Sequence, residues 1–338
     1  MLWKLLQLFS ITLLMITGSY CASGQDAIPV EIVVTGKQPG PPMWRVINGD
    51  NTLYIFAWLS PIPKNIFWES ERVEAVIAQA QEYIPMPDAD VSVSPLVMFN
   101  PINIFRGARL GKRLTRNEDK ATLEEVLPAD LYARYSRLKT RYFPREKDID
   151  MLRPLVAGRR MMDHIEEAAG LSPAKDVGKK IRRLVRRNRN ITVTEVTYET
   201  RLKGGFRDLA NRVETMLDSM PWEKELSCFE RQLSIMEEDI GEMQYRASTW
   251  AQGYIEEFKF IPLPGDEDDD CTQLIANSSE REMYEDITGS LEKMWLEAAR
   301  NALANNEVTF AVLEFNELLL EDGLLNQLKK MGYEVIEP

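Results

Sequence analysis

Two β-rich runs, Trp44–Ile47 and Thr52–Ala57, flank the tetrapeptide Asn48-Gly49-Asp50-Asn51. Asn, Gly and Asp tolerate the positive φ of a tight turn, so this segment reads as a β-hairpin. Trp58-Leu59-Ser60-Pro61-Ile62-Pro63 then ends the second strand, because each proline removes a ladder donor. A short strand, Val30–Val34, precedes the hairpin. The remaining strand signals are Ile191–Val196, Val308–Leu313, a buried-strand pattern, and Tyr333–Ile336 near the end of the chain.

Between these ends the periodicity is helical. Val73, Val76, Ile77 and Ala80 share one face of a helix over about Glu69–Gln81. Leu127-Pro128 opens a helix through Tyr132, Tyr135 and Leu138. Pro154 opens another through Met161, Met162 and Ile165, which Gly170 ends. From Cys228 to Phe258, apolar residues recur at steps of three or four, through Leu233, Met236, Ile240, Met243, Ala247, Trp250 and Tyr254. Gly241 and Gly253 favour one or two helices packed on a core over a coiled-coil seam. Leu291–Leu303 and Gly323–Met331 complete the helices. The expected fold is α/β (mixed α+β): a mixed sheet drawn from both chain ends and covered by helices, with a helical middle insertion. The expected organisation is a leader over residues 1–24 and a single domain over 25–338, in which 115–225 is the insertion.

The leader reads as a signal peptide: Lys4 supplies positive charge, Leu5 to Ile16 is nearly all apolar, and Ala22-Ser23-Gly24 offers small residues for cleavage. The apolar stretch is shorter than the ~20 residues of a membrane span, and no later stretch is long and apolar enough. Tyr20 stands before Cys21 where a lipoprotein signal wants a small residue. Cleavage leaves two cysteines, Cys228 and Cys271. In an oxidising compartment they are expected to pair, stabilising the fold by about 3–4 kcal/mol on the chain-entropy estimate. The expected location is periplasmic or secreted.

Of 338 residues 41 are Lys or Arg and 53 are Asp or Glu, a net charge of −12 that excludes a nucleic-acid footprint. The basic run Lys179, Lys180, Arg182, Arg183, Arg186, Arg187 and Arg189 interleaves with Ile181, Leu184 and Val185 at helical spacing. It reads as the solvated face of a helix, with an anionic lipid, polysaccharide or partner protein as the sharper alternative. Glu267-Asp268-Asp269-Asp270 reads as a solvated loop, since the spacing of a calcium-binding loop is absent.

The chain has a single histidine, His164, so a two-His metal centre is excluded and any Ser-His-Asp or Cys-His machinery must use that residue. His164 falls at the edge of a helical apolar stripe, where a packed or half-exposed ring is the simple reading. Ser60 sits at a strand end, where ligands approach a sheet, but no G-x-S-x-G elbow surrounds it. Glu314 and Glu317 follow the strand Val308–Leu313. If helical, 314–322 would place Glu314, Glu317 and Glu321 on one face, favoured by the helix dipole or used as a carboxylate metal site. Arg246 lies beside the apolar stripe of the long helix and needs a partner if buried. No Walker A, G-x-G-x-x-G, C-x-x-C or H-E-x-x-H pattern occurs.

Several fragments taken in order resemble the TraB/GumN family. They are Val33-Val34-Thr35-Gly36-Lys37-Gln38-Pro39-Gly40-Pro41, Met43-Trp44-Arg45-Val46, Leu53-Tyr54-Ile55-Phe56-Ala57-Trp58-Leu59-Ser60-Pro61, Arg246-Ala247-Ser248-Thr249-Trp250-Ala251-Gln252-Gly253 and Asn306-Glu307-Val308-Thr309-Phe310-Ala311-Val312-Leu313. The resemblance implies kinship with metal-dependent proteases of the Tiki type, whose members carry two G-x-x-H motifs at strand ends. It places those motifs at Ala57-Trp58-Leu59-Ser60 and Glu314-Phe315-Asn316-Glu317, where both glycines and both histidines are absent. Ser60 and Glu317 stand where the histidines would, and a neutral Ser is a poor replacement for an imidazole ligand. Only Arg246 is retained. The resulting expectation is an exported protein with a degenerate metalloprotease site, a pseudoenzyme engaged in binding an envelope partner or ligand and needing no cofactor. The alternative is a metal-dependent hydrolase rebuilt on Ser60, Glu314, Glu317 and Arg246, which would need a divalent cation.

Overall fold

The hairpin forms where the turn chemistry puts it. Strands β1 (Met43–Asn48) and β2 (Asn51–Trp58) pair antiparallel with Asn48 opposite Asn51, and Gly49 in the turn takes φ of 61°. Both asparagine side chains reach out of the turn and donate to the Leu303 carbonyl, at 3.0 and 2.9 Å. The turn residues thus also fasten the hairpin to a helix some 250 positions away. The structure is a computed structural model and describes residues 40–93, 101–146, 148–202, 204–237, 240–254, 271, 274 and 279–338. The expected leader, the strand Val30–Val34 and the acidic run 267–270 lie outside the described residues.

After β2 the chain makes β3 (Ile62–Pro63), α1 (Glu71–Gln79), β4 (Glu82–Ile84), β5 (Asp88–Val93) and α2 (Pro101–Thr115). The peptide between Ser60 and Pro61 is cis. Helices α3 (Ala129–Tyr142) and α4 (Pro154–Ala168) follow, the latter with its proline at the first helical position, where no N–H is needed. Then come β6 (Leu171–Ser172), α5 (Lys175–Arg187), β7 (Thr192–Val193) and β8 (Thr197–Leu202). Helices α6 (Phe206–Ser219), α7 (Trp222–Glu237), α8 (Ile240–Gln252) and α9 (Arg281–Asn305) lead to β9 (Val308–Glu314). Two short helices, α10 (Phe315–Leu319) and α11 (Leu324–Lys330), and β10 (Glu334–Ile336) end the chain.

The fold is the expected mixed α/β. The main sheet has the order β10-β1-β2-β9-β4-β7; β1 pairs antiparallel with β10 and β2, while β2-β9, β9-β4 and β4-β7 are parallel. Strand β9 occupies the middle, and its residues from Thr309 to Leu313 are all buried. A strand flanked on both sides and covered on both faces wants a continuous apolar run, which Phe310-Ala311-Val312-Leu313 supplies. The main core holds β1, β2, β9, α1, α5 and α9, with Phe56, Trp250, Trp295, Phe310 and Leu328 fully buried within it.

A second apolar cluster gathers Leu123, Tyr135, Ile149, Met161, Ile165, Phe229, Leu233 and Met236 from α3, α4, α7, the single helical turn Leu123–Val126 before α3 and the turn Asp148–Met151. One ion pair lies at its border: Glu225 is 1% exposed and accepts from Arg153 Nε at 3.2 Å. Cys228, fully buried beside it, is disulfide-bonded to Cys271, as the cysteine count led one to expect.

Three expectations need adjusting. Of Ile191–Val196 only Thr192–Val193 is strand, as β7 in the main sheet; the next strand, β8, begins beyond it at Thr197 and pairs parallel with β5 in a separate two-stranded sheet. The stripe from Cys228 forms two helices, α7 and α8, within the one or two expected, and its last residues, 255–258, lie outside the described residues. The helix expected at Leu291–Leu303 begins earlier, at Arg281, about three turns before Leu291, so that Tyr284 and Ile287 extend its apolar stripe. Residues 314–322 are not one helix. Glu314 ends the strand, α10 stops at Leu319, and Glu321 and Asp322 lie in the turn before α11.

Candidate functional site

Parallel pairing of β2 with β9 brings their carboxyl ends together, with Trp58 opposite Glu314. In sheets of this kind ligands approach at that edge, and the four residues singled out from the sequence all belong to elements that meet there. Ser60 lies two residues beyond β2 and is exposed; Glu314, at the end of β9, is exposed as well. Arg246 is half-buried on α8, the helix that packs on β3. One turn further along α8, fully buried Trp250 donates its indole N–H to the Ala57 carbonyl at 2.8 Å and packs edge-on against Phe56. That bond clamps α8 to the end of β2.

Glu317 has a structural task. Its Oε1 accepts the backbone N–H of Leu324, the first residue of α11, at 2.7 Å. The opening N–H groups of a helix lack intrahelical partners, and a carboxylate there also answers the helix dipole. Gly323 makes this approach possible: a Cβ on it would lie 2.4 Å from the Glu317 carbonyl oxygen and 3.0 Å from Oε1.

A transition-metal centre of the kind the resemblance implies does not fit these residues. The single histidine belongs to the helical middle of the chain: His164 sits exposed on α4 with its ring 4.7 Å from that of Phe143. Among the described residues no group of three or more His, Cys, Asp or Glu side chains is placed to hold a metal ion.

A concavity beside this edge was not singled out from the sequence. A cleft of about 350 Å³ runs between β3 and β6 on one side and α5 on the other. Its floor is apolar, from Ile62, Ile66, Trp68 and Val177, and its rim is cationic, from Lys64, Lys175, Lys179, Lys180 and Arg183. Helix α5 is amphipathic, burying Val177, Gly178, Ile181 and Val185 against the sheet. The absent side chain of Gly178 admits Trp58: a Cβ would stand 3.0 Å from the far edge of that indole. The basic helix therefore rests directly on the last residue of β2. Lys180 anchors it further, with its ammonium 5.4 Å from the Trp68 ring centroid, 2.9 Å from Glu74 and in contact with Ser70. Ser70 donates to Glu74 at 2.7 Å; with Lys180 it holds the Glu74 carboxyl below the ordinary glutamate range. The basic run at 179–189 was visible in the sequence, but Lys64 and Lys175 lay outside it, and only the fold brings them to the same rim.

The architecture is that of a mixed-sheet α/β domain covered by helices. Residues 42–337 match the profile of the TraB/PrgY/gumN family, and the chain belongs to that family. No curated protein and no solved structure matches it.

Proposed function

We propose that this chain is a binding member of the TraB/PrgY/gumN family, working outside the cytoplasm, in which the strand ends recognise a partner or ligand and do not hydrolyse it. The observation that carries the reading is the engagement of Glu317. The carboxylate standing where the resemblance would put the second histidine is turned to the start of α11 and accepts a backbone N–H at 2.7 Å. The disulfide Cys228–Cys271 supports placement in an oxidising compartment, and no helix among the described residues is long and apolar enough to cross a membrane. The test is metal analysis, together with peptide hydrolysis assayed with added zinc, manganese or cobalt, on protein made from periplasm. Substoichiometric metal and no metal-stimulated cleavage are expected; a tightly held equivalent of metal overturns the reading.

A rebuilt hydrolase is the second reading, favoured by the exposure of both Ser60 and Glu314 at neighbouring strand ends. It requires a divalent cation or an acid–base pair drawn from Ser60, Glu314, Glu317 and Arg246. Hydrolysis abolished by both Ser60→Ala and Glu314→Gln would establish it.

A further inference from the structure

We infer that the cleft between α5 and the β3–β6 pair is a binding site for a phosphate monoester. The inference rests on the non-catalytic reading only in naming what the strand-end region recognises. Lys175, Lys179 and Arg183 are spaced four residues apart, so they form one stripe along the open side of α5, and Lys64 faces them from the segment after β3. Lys64, Lys175 and Arg183 have no carboxylate partner among the described residues; Lys179 is paired with Asp176 at 2.9 Å and Lys180 with Glu74 at 2.9 Å. Asp176 is the only acidic side chain in the lining, against five cations.

A chain of net charge −12 gains no general advantage from such a concentration of positive charge. Like charges gathered on one rim repel one another, and a bound polyanion removes that cost. Lysines act as point charges toward phosphate oxygens, and arginine adds a fork of donors. The first turn of α5 also lines the cleft, through Ala174, Lys175 and Asp176, so its positive dipole end adds to the side chains. The floor of Ile62, Ile66 and Trp68 offers apolar and aromatic surface for the organic part of the ester. The source of such an ester is either a soluble metabolite or the headgroup of an anionic lipid, and the chemistry at the rim is common to both.

The test is calorimetric titration of the full chain with glycerol 3-phosphate, with glycerol and glucuronate as controls, and co-sedimentation with phosphatidylcholine vesicles with and without phosphatidic acid. Glycerol 3-phosphate is expected to bind, glycerol not at all, and glucuronate at least about tenfold more weakly. Binding of vesicles alone assigns the ester to a lipid headgroup, and binding of the soluble compound assigns it to a metabolite. The triple variant Lys64→Gln/Lys175→Gln/Arg183→Gln changes only exposed positions, so it keeps the fold, and it is expected to lose at least about tenfold in affinity. Arg186→Gln/Arg187→Gln, at the far end of the same helix and outside the cleft lining, is expected to retain binding within about twofold. The inference is overturned if neither phosphate source binds, if glucuronate binds as well as phosphate, or if the two variants lose binding equally. None of these results bears on metal content, so the failure of this site and the failure of the non-catalytic reading remain distinguishable.

Discussion

The clamp between Trp250 and the end of β2 can be tested by Trp250→Phe. Phenylalanine keeps an aromatic ring against Phe56 but cannot donate to Ala57, whose carbonyl accepts the indole N–H at 2.8 Å in a fully buried setting. Leaving that acceptor without its partner costs about 1–3 kcal/mol. The volume lost with the second ring adds a cavity cost of about 1 kcal/mol. The sum, about 2–4 kcal/mol, is large against the 5–15 kcal/mol that holds a typical domain together. Urea unfolding followed by far-ultraviolet circular dichroism avoids the change in tryptophan fluorescence. With a slope of about 3 kcal/mol/M for a chain of this size, the midpoint should fall by roughly 1 M with the slope unchanged. Trp222→Phe is the control, because Trp222 is 39% exposed, and it should stay within about 0.5 kcal/mol of the parent. A midpoint shift for Trp250→Phe no larger than that of Trp222→Phe would refute the clamp.

Removing the disulfide with Cys228→Ser and Cys271→Ser opens a loop of sequence separation 43 and should cost about 4 kcal/mol in chain entropy, read as a lower thermal midpoint that reductant does not lower further. Gly323→Ala forces a Cβ to within 2.4 Å of the Glu317 carbonyl oxygen and should destabilise more than Glu317→Gln, which weakens a helix cap worth about 1 kcal/mol; equal effects in urea melts would contradict the packing described. Glu74 has its folded pKa lowered by Ser70 and Lys180, so its contribution is present at neutral pH and fades as pH falls through that lowered value. Glu74→Gln should therefore destabilise at pH 7, by less than about 1 kcal/mol because the pair is well exposed, and approach the parent as the pH falls below that lowered value.

The hairpin, the buried strand Val308–Leu313 and the terminal helix–strand unit were legible because each carries its own local signal: turn residues, an unbroken apolar run, a glycine before a helix. Strands β5 and β8 were not. In Asp88–Val93 the small apolar residues Ala89, Val91 and Val93 alternate with two acids and a serine, Thr197–Leu202 offers only Tyr198 and Leu202, and their strand form is completed by pairing with each other, Ser92 opposite Arg201. The acidic residues at 314–322 show the same limit. Spacing alone put them on one helical face, but the break after Leu319 separates them, and only the backbone geometry shows that Glu317 serves the next helix. For the cationic cleft, the sequence supplied one wall; Lys64, 111 residues before Lys175, is brought opposite by the β3–β6 pairing.

The middle position of β9 has a consequence for the order in which this chain assembles during its manufacture. Without residues 308–336 the sheet falls into two disconnected pairs, the β1–β2 hairpin and β4 with β7, because β2 and β4 meet only through β9. The keystone therefore leaves the ribosome after every other strand of this sheet except β10. A nascent chain that has made everything up to α9 still lacks the piece that joins its halves, and its apolar strand edges must stay open until Val308–Glu314 arrives.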